Sequence, residues 1–307
     1  MFLFVTLLLA AQMLAVQEPP SPLALPQLLS RVAEEAEVFQ QNAPKSLTLE
    51  TLEQRALMPP SRFHPRIGKA AMEVPKPRLQ VREIVSEYSV GTLKESTSRD
   101  LFELRQVVSV DGRKVQSAES ARHALSLGIK SPDDRVRKRM LEDFAKHGLV
   151  DIATDYGLIL LAFTRRGQEN MAIAAAGEEQ VGADTAVVMY WRQKSSEEGA
   201  LVFTGKQAAR RSLQGRLLVR KSDGLPIRVE AWTERQDGKV TSRENATVEY
   251  VESAHGFLMP ASVVHRHLIN GSLITENLYR YEPFKMFTAD TEIKFTELPE
   301  TPPAIKK

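Results

Sequence analysis

The residues best suited to chemistry are His265 and His267, two apart in the run from Val263 to Leu268. On a strand, side chains two apart share a face, so two imidazoles there could hold one metal ion. No third ligand is evident nearby beyond His255, and two polar positions on a strand face are the plainer reading, so no metal is expected. Asp151 and Asp155 are spaced for one helical face and could act as acid and base, but the flanking sequence offers no partner base. Gly199 with Gly205-Lys206 only approximates a phosphate loop. Five residues intervene where four are needed, and Gln207 stands where a Ser or Thr hydroxyl is required. No Gly-x-Ser-x-Gly elbow, His-Glu-x-x-His helix or Gly-x-Gly-x-x-Gly turn occurs. The 307-residue chain has no cysteine, which removes disulfides, thiolate metal sites, cysteine nucleophiles and lipidation on an N-terminal cysteine. Scattered His and Asp are all that would favour a hydrolase; the expectation is a protein that is not an enzyme and carries no cofactor.

What would position these residues is a run of short alternating segments from Ser212 to Phe284. Turn signals at Asp223-Gly224, Asp237-Gly238, His255-Gly256 and Asn270-Gly271 divide it. The pieces between them have strand length, and the pattern predicts an antiparallel meander. Leu217 and Val219 oppose Arg216 and Arg220; Ile227, Val229 and Ala231 oppose Arg228, Glu230 and Glu234; Val240, Ala246, Val248 and Tyr250 oppose Arg243, Asn245, Thr247 and Glu249. One face is therefore apolar and the other wet. In the last two strands Val263 adjoins Val264 and Leu273 adjoins Ile274, which predicts cover on both faces there. Trp232 falls on the polar face. Asn245-Ala-Thr247 and Asn270-Gly-Ser272 match glycosylation sequons, the second better explained as a hairpin turn.

The remaining segments are read in chain order. Residues 1–17 are apolar and uncharged, too short for a membrane span, and read as an export signal, with an uncleaved anchor as the alternative. Residues 18–44 begin with a proline spacer and continue as a helix whose face carries Leu25, Leu28, Leu29, Val32, Ala33, Ala36 and Phe39. Residues 46–57 fit a strand through Leu47, Leu49 and Thr51 or a helix through Leu49, Leu52 and Ala56, and are read as a strand. A basic loop over 59–82 holds six Lys or Arg against the single acid Glu73, with five prolines; it is either a solvated loop or a contact for an acidic surface. Strands are expected over 79–93 and 101–110, and helices over about 118–147. There Ser131 is read as N-cap, Pro132 as the first helical residue, and Val136, Met140, Leu141 and Phe144 as the buried stripe, with Arg135, Arg137, Lys138 and Arg139 as a basic cluster. Strands return at 158–164, 170–176, 182–192 and 200–204, and 291–307 reads as a frayed tail. With 41 basic and 39 acidic residues the net charge is +2, giving no reason to expect nucleic acid.

The stretch from Gly215 to Glu230, with Asp223, Gly224, Leu225 and Pro226 in its turn and Asp237-Gly238 leading the next hairpin, resembles the core hairpin of the lipoprotein carrier superfamily. That superfamily includes the LolA and LolB carriers and the RseB-type regulators; the segment Val181 to Met189 is similar to its glycine-led strand. The resemblance implies an α+β fold in which an antiparallel sheet curves into an unclosed β-barrel, over residues 45–290, wrapped around a few helices. It implies a periplasmic or secreted binding protein whose ligand is a lipid or a lipoprotein acyl chain, with Leu217, Val219, Ile227, Val229, Val248 and Tyr250 lining the concavity. An adaptor or stress sensor holding an envelope protein partner is the alternative, and membrane contact is peripheral at most. The missing cysteine departs from lipid-anchored members, and the basic loop and the 131–147 helix have no counterpart in the simplest carriers.

Overall fold

The computed structural model describes residues 24–60, 76–92, 101–131, 133–150, 156–195, 200–204 and 207–287. The export segment 1–17, most of the basic loop, Asp151, Asp155, Gly199, Gly205, Lys206 and the tail 291–307 lie outside them. The chain runs through α1 (Leu25–Asn42), β1 (Ser46–Met58), β2 (Arg78–Thr92), β3 (Leu101–Val110), β4 (Arg113–Lys114), α2 (Ala118–Lys130) and α3 (Asp134–Ala145). A 3-10 segment (Tyr156–Phe163) and α4 (Arg165–Glu169) follow, then β5 (Met171–Val181), β6 (Asp184–Gln193), and the small hairpin β7 (Ala200–Thr204) and β8 (Gln207–Arg211). The meander closes the chain as β9 (Gln214–Arg220), β10 (Pro226–Asp237), β11 (Val240–Glu252), β12 (Leu258–Ile269), β13 (Ser272–Tyr281) and β14 (Lys285–Met286).

All pairings are antiparallel, in the order β4-β3-β2-β1-β13-β12-β11-β10-β9-β6-β5, with β14 beside β1. Two meanders are thus sewn together by the pairing of β1 with β13, from Glu50 opposite Tyr281 to Ala56 opposite Thr275. The sheet does not close on itself. It is an unclosed barrel around its helices, as the alternating pattern and the resemblance led one to expect. The Asn270-Gly271 turn shows why the hairpins fold where they do. Both residues have positive φ, 49° and 77°, the pair of values a two-residue turn needs to match strand twist. The Asn270 carboxamide oxygen also accepts the Thr241 amide at 2.8 Å.

The core lies between the concave face of the sheet and α1. Leu28, Val32, Ala36 and Phe39 are buried on the face that the helical spacing marks out. Pro26 sits in the first turn, where its missing N–H costs nothing.

Five expectations are corrected. The run 158–164 is no strand: 158–163 belong to the 3-10 segment and Thr164 caps α4, because a continuous apolar stretch looks alike whether it forms a buried strand or a buried helix. Ser131 ends α2, its amide bonded to the Leu127 carbonyl, while Asp133 caps α3 through the Arg135 amide. Within the basic cluster Arg137 is buried, paired with Asp134 and donating to the carbonyls of Gly128 and Ser131 at 3.1 and 2.7 Å. Val136 is exposed in its place, since a guanidinium with three acceptors is better satisfied inside than out. Residues 79–82 of the basic loop belong to β2. The last strands are covered on both faces only at the start of β12, where Leu258, Met259 and Pro260 are all buried beside a bulge; beyond it Val263 is buried while Val264 is partly exposed and Leu273 exposed.

Candidate functional site: a plugged apolar concavity

Alternation along β9, β10 and β11 aims Leu217, Val219, Val229, Val248 and Tyr250 at the interior, and all five are buried in the main core. Ile227 is placed elsewhere. A bulge between Pro226 and Arg228 shifts the register, and Ile227 packs on the opposite face with Ala186, Val188 and Leu218. Val240, at the free end of β11, is exposed.

The concavity these residues line is filled from within. From α1, Phe39 meets the Tyr250 ring edge-on at 6.3 Å. The 3-10 segment supplies Leu158, Ile159, Leu160 and Phe163, all buried against the same wall, and Phe163 stands edge-on to Trp191 at 5.4 Å. This segment is the residue run that sequence reading missed, and its content is a plug: Tyr-Gly-Leu-Ile-Leu-Leu-Ala-Phe, without a charge. Eight residues of 3-10 helix are unusual, since such runs rarely exceed three or four and their hydrogen bonds are poor.

Side chains of the sheet make up the deficit. The Tyr250 hydroxyl and a Glu103 carboxylate oxygen both bond to backbone of the plug, the latter accepting the Gly157 amide at 3.0 Å. Gly157 must lack a side chain, because a Cβ would come within 2.5 Å of that carboxylate oxygen. Upstream, the Gln54 carboxamide grips Val150 twice, accepting its amide and donating to its carbonyl, each at 2.8 Å. Tyr156 stacks on His265 with ring centres 5.2 Å apart.

Glu103 is itself part of a buried ionic cluster. The Arg105 guanidinium makes a forked pair with Glu50, 2.7 Å to each oxygen, and reaches Glu103 at 2.7 Å. All three side chains are at most 2% exposed. The guanidinium also lies 4.9 to 5.4 Å from the ring centres of Phe144, Tyr88 and Tyr279. Two carboxylates share one cation here. Burial pushes the Glu50 carboxyl above its ordinary value even though Arg105 pulls the other way. For Arg105 burial opposes the charge, and Glu50 and Glu103 together outweigh it, holding the proton more tightly than usual. Burial likewise pushes Tyr88, Tyr281, Tyr156 and Tyr250 upward, so their hydroxyls stay protonated and able to donate.

The two histidines each have a polar neighbour within the sheet. His265 is buried, its Nδ1 3.2 Å from the Asn277 amide nitrogen and its Nε2 3.7 Å from Glu244. His267 Nε2 lies 2.9 Å from the Ser242 hydroxyl. Among the described residues no three His, Asp or Glu side chains gather closely enough to hold a metal ion. Among them, too, no helix is long and apolar enough to cross a membrane.

No family model and no curated protein matches the chain. Solved structures that are similar include a LolA superfamily protein from Nitrosomonas europaea, 9% identical, covering 87% of this chain and 94% of that one at a TM-score of 0.33. A DUF1329 family protein from Desulfovibrio piger is 9% identical, covering 85% and 94% at a TM-score of 0.37. The MucA/MucB complex of Pseudomonas aeruginosa is 11% identical, covering 85% and 99% at a TM-score of 0.19. The first carries the superfamily name that the Gly215 to Glu230 hairpin resembles. All three scores lie below 0.5.

Proposed function

We propose that the protein is a non-enzymatic, exported binding protein, periplasmic or secreted, that takes a long acyl chain of a lipid or lipoprotein into its concavity in exchange for the Tyr156–Phe163 plug. The observation that carries this reading is the plug itself. It is apolar, irregular, and fastened by side chains of the sheet rather than by a helix of good geometry. Its four buried side chains, at about 2 kcal/mol each, gain roughly 8 kcal/mol from burial. An acyl chain gains ~0.8 kcal/mol per methylene, so about ten methylenes offset the loss of the plug. The ionisable groups that face the interior are occupied with one another or with backbone, which supports binding over catalysis. The wall residues would be Leu217, Val219, Val229, Val248 and Tyr250, with Ile227 outside it.

Titration with fatty acids of increasing length, read by displacement of a fluorescent fatty acid, tests this. Chains well beyond ten carbons are expected to bind saturably and eight-carbon chains not to compete. Length-independent binding, or none at any length, would overturn the proposal.

A second reading, an adaptor for an envelope protein partner, is supported by β5. That strand ends the sheet, and Met171 to Ala176 is uncharged and largely exposed, so its edge could accept a strand from another chain. Ala174→Lys combined with Ala175→Lys is expected to abolish partner capture and leave fatty-acid binding intact.

A further inference from the structure

The convex face of the sheet carries a depression of about 360 Å³, bounded by β5, β6, β9 and β10. Register places Ala172, Arg192, Gln214 and Trp232 in one row across these strands, with Ala174 and Tyr190 in the next. Strand alternation turns all six side chains outward, away from Trp191 and Ala231, which face the core. The floor is low because alanines occupy β5, while Gly215, in register with Trp191 and Ala231, leaves room on the core side. A Cβ there would meet the Glu230 carbonyl at 1.8 Å and the Trp191 ring at 2.9 Å.

Two aromatic rings rise from this floor. Tyr190 is 54% exposed, although it lies in the middle of a strand. Trp232 is half-buried, and Arg243 on β11 lies over its ring at 5.7 Å. From a strand spacing of ~4.8 Å and a rise of ~3.4 Å per residue, the two aromatic positions are about 12 Å apart on the diagonal.

Three arginines of this face are matched by carboxylates, whereas Arg243, over Trp232, and Arg192, inside the depression, make no ion pair with any described residue. Arg216 pairs with Glu230 and Glu179 at 2.8 and 2.9 Å, Arg228 with Glu249 at 2.6 Å, and Arg266 with Glu276 at 2.6 Å. Arg192, exposed between Ala172 and Gln214, makes no ion pair or side-chain hydrogen bond with any described residue, and neither does the Gln214 carboxamide.

We infer that this depression binds a saccharide bearing a carboxylate. A sugar ring has an apolar C–H face that lies flat on an aromatic ring and an edge of hydroxyls that needs planar donors and acceptors. Tyr190 and Trp232 supply the first, Gln214 and Arg192 the second. An acyl chain is a poor fit, since it would bury Arg192 and Gln214 without partners. A flat base sandwiched between the rings is a poor fit as well, because they stand too far apart. Within the depression the Arg192 guanidinium balances a single negative charge, and a guanidinium takes a carboxylate through two parallel hydrogen bonds. The volume falls at the small end of ligand sites, ~300–1,000 Å³, enough for one or two rings. This site lies on the opposite face from the plugged concavity and does not depend on it.

The chain has two tryptophans, Trp191 in the core and Trp232 at the rim, so fluorescence reports on the depression directly. Titration with oligogalacturonate is expected to give a saturable change and to release heat. A neutral malto-oligosaccharide is expected to bind about tenfold more weakly, the equivalent of a lost charge-assisted hydrogen bond. Arg192→Gln should remove that difference, Trp232→Ala should abolish binding of both, and Trp232→Phe, which keeps a ring, should retain it, all with melting temperatures close to wild type. No saturable binding of either saccharide would overturn the inference. Unchanged affinity in Arg192→Gln and Trp232→Ala would do the same, and equal affinity for the neutral and acidic sugars would overturn the assignment of charge.

Discussion

The hydroxyl of Tyr250 donates to the carbonyl of Gly157 at 3.1 Å. The same oxygen accepts the amide of Leu160 at 3.1 Å, so one side chain of β11 ties both ends of the plug's first turn to the sheet.

Removing that tie should loosen the plug without touching the apolar wall. Tyr250→Phe leaves a buried amide and carbonyl without their partner, at a cost of ~1–3 kcal/mol in unfolding stability. If plug release precedes binding, the same loss raises the fraction of open protein and tightens the apparent affinity for a long-chain fatty acid by roughly five- to 150-fold. A merely structural tyrosine would weaken binding or leave it unchanged. Fatty-acid titration and urea unfolding of the one variant measure both effects.

The ionic cluster behind Glu103 gives a pH-dependent prediction. Arg105→Met removes the cation that two buried carboxylates share and is expected to cost ~3–5 kcal/mol at neutral pH. Glu50 already has a folded-state value above its unfolded one, and losing Arg105 raises it further. A carboxyl raised in this way takes up its proton on folding. Its contribution to stability is therefore fully present below the unfolded value and is lost as pH rises through the folded one. The deficit of the variant against wild type should shrink as pH is lowered from 7.5 towards 5, read from unfolding midpoints at each pH. A deficit that grows on acidification would contradict this arrangement of charge.

Neighbouring arginines of α3 should behave very differently. Arg137→Ala strips Asp134 and the carbonyls of Gly128 and Ser131 of their buried partner and is expected to cost ~3 kcal/mol or more. Arg139→Ala, on the exposed side, should stay within about 0.5 kcal/mol. Thermal unfolding of the two variants separates them, and equal effects would mean that Arg137 is not held as described.

The meander was legible because each strand alternates and each turn has a residue that takes positive φ, as at Asn270-Gly271. The two-residue period of Leu217-Val219 and Val248-Tyr250 marked the buried face; it failed at Val240, at the exposed end of β11, and at Ile227, where a bulge at Pro226 inserts a residue that no periodicity can announce. The plug was illegible for a different reason. A run such as Leu158 to Phe163 satisfies strand and buried helix equally, and what decides between them is Tyr250, some 90 positions later in the chain. Arg137 was misplaced because a charge run usually marks a solvated face, while its three acceptors come from two helices and the turn between them. The convex depression left only one trace in the sequence, Trp232 on a polar face; its unmatched Arg192 becomes visible once register shows which arginines have carboxylates opposite.

Hydrogen exchange of the full chain with and without palmitate tests the exchange of plug for acyl chain most directly. Binding should speed exchange of the amides between Tyr156 and Phe163, Gly157 and Leu160 above all, while β9, β10 and β11 keep or gain protection. Saturating palmitate that slows exchange in the plug together with the strands, or leaves it unchanged, would contradict displacement of the plug.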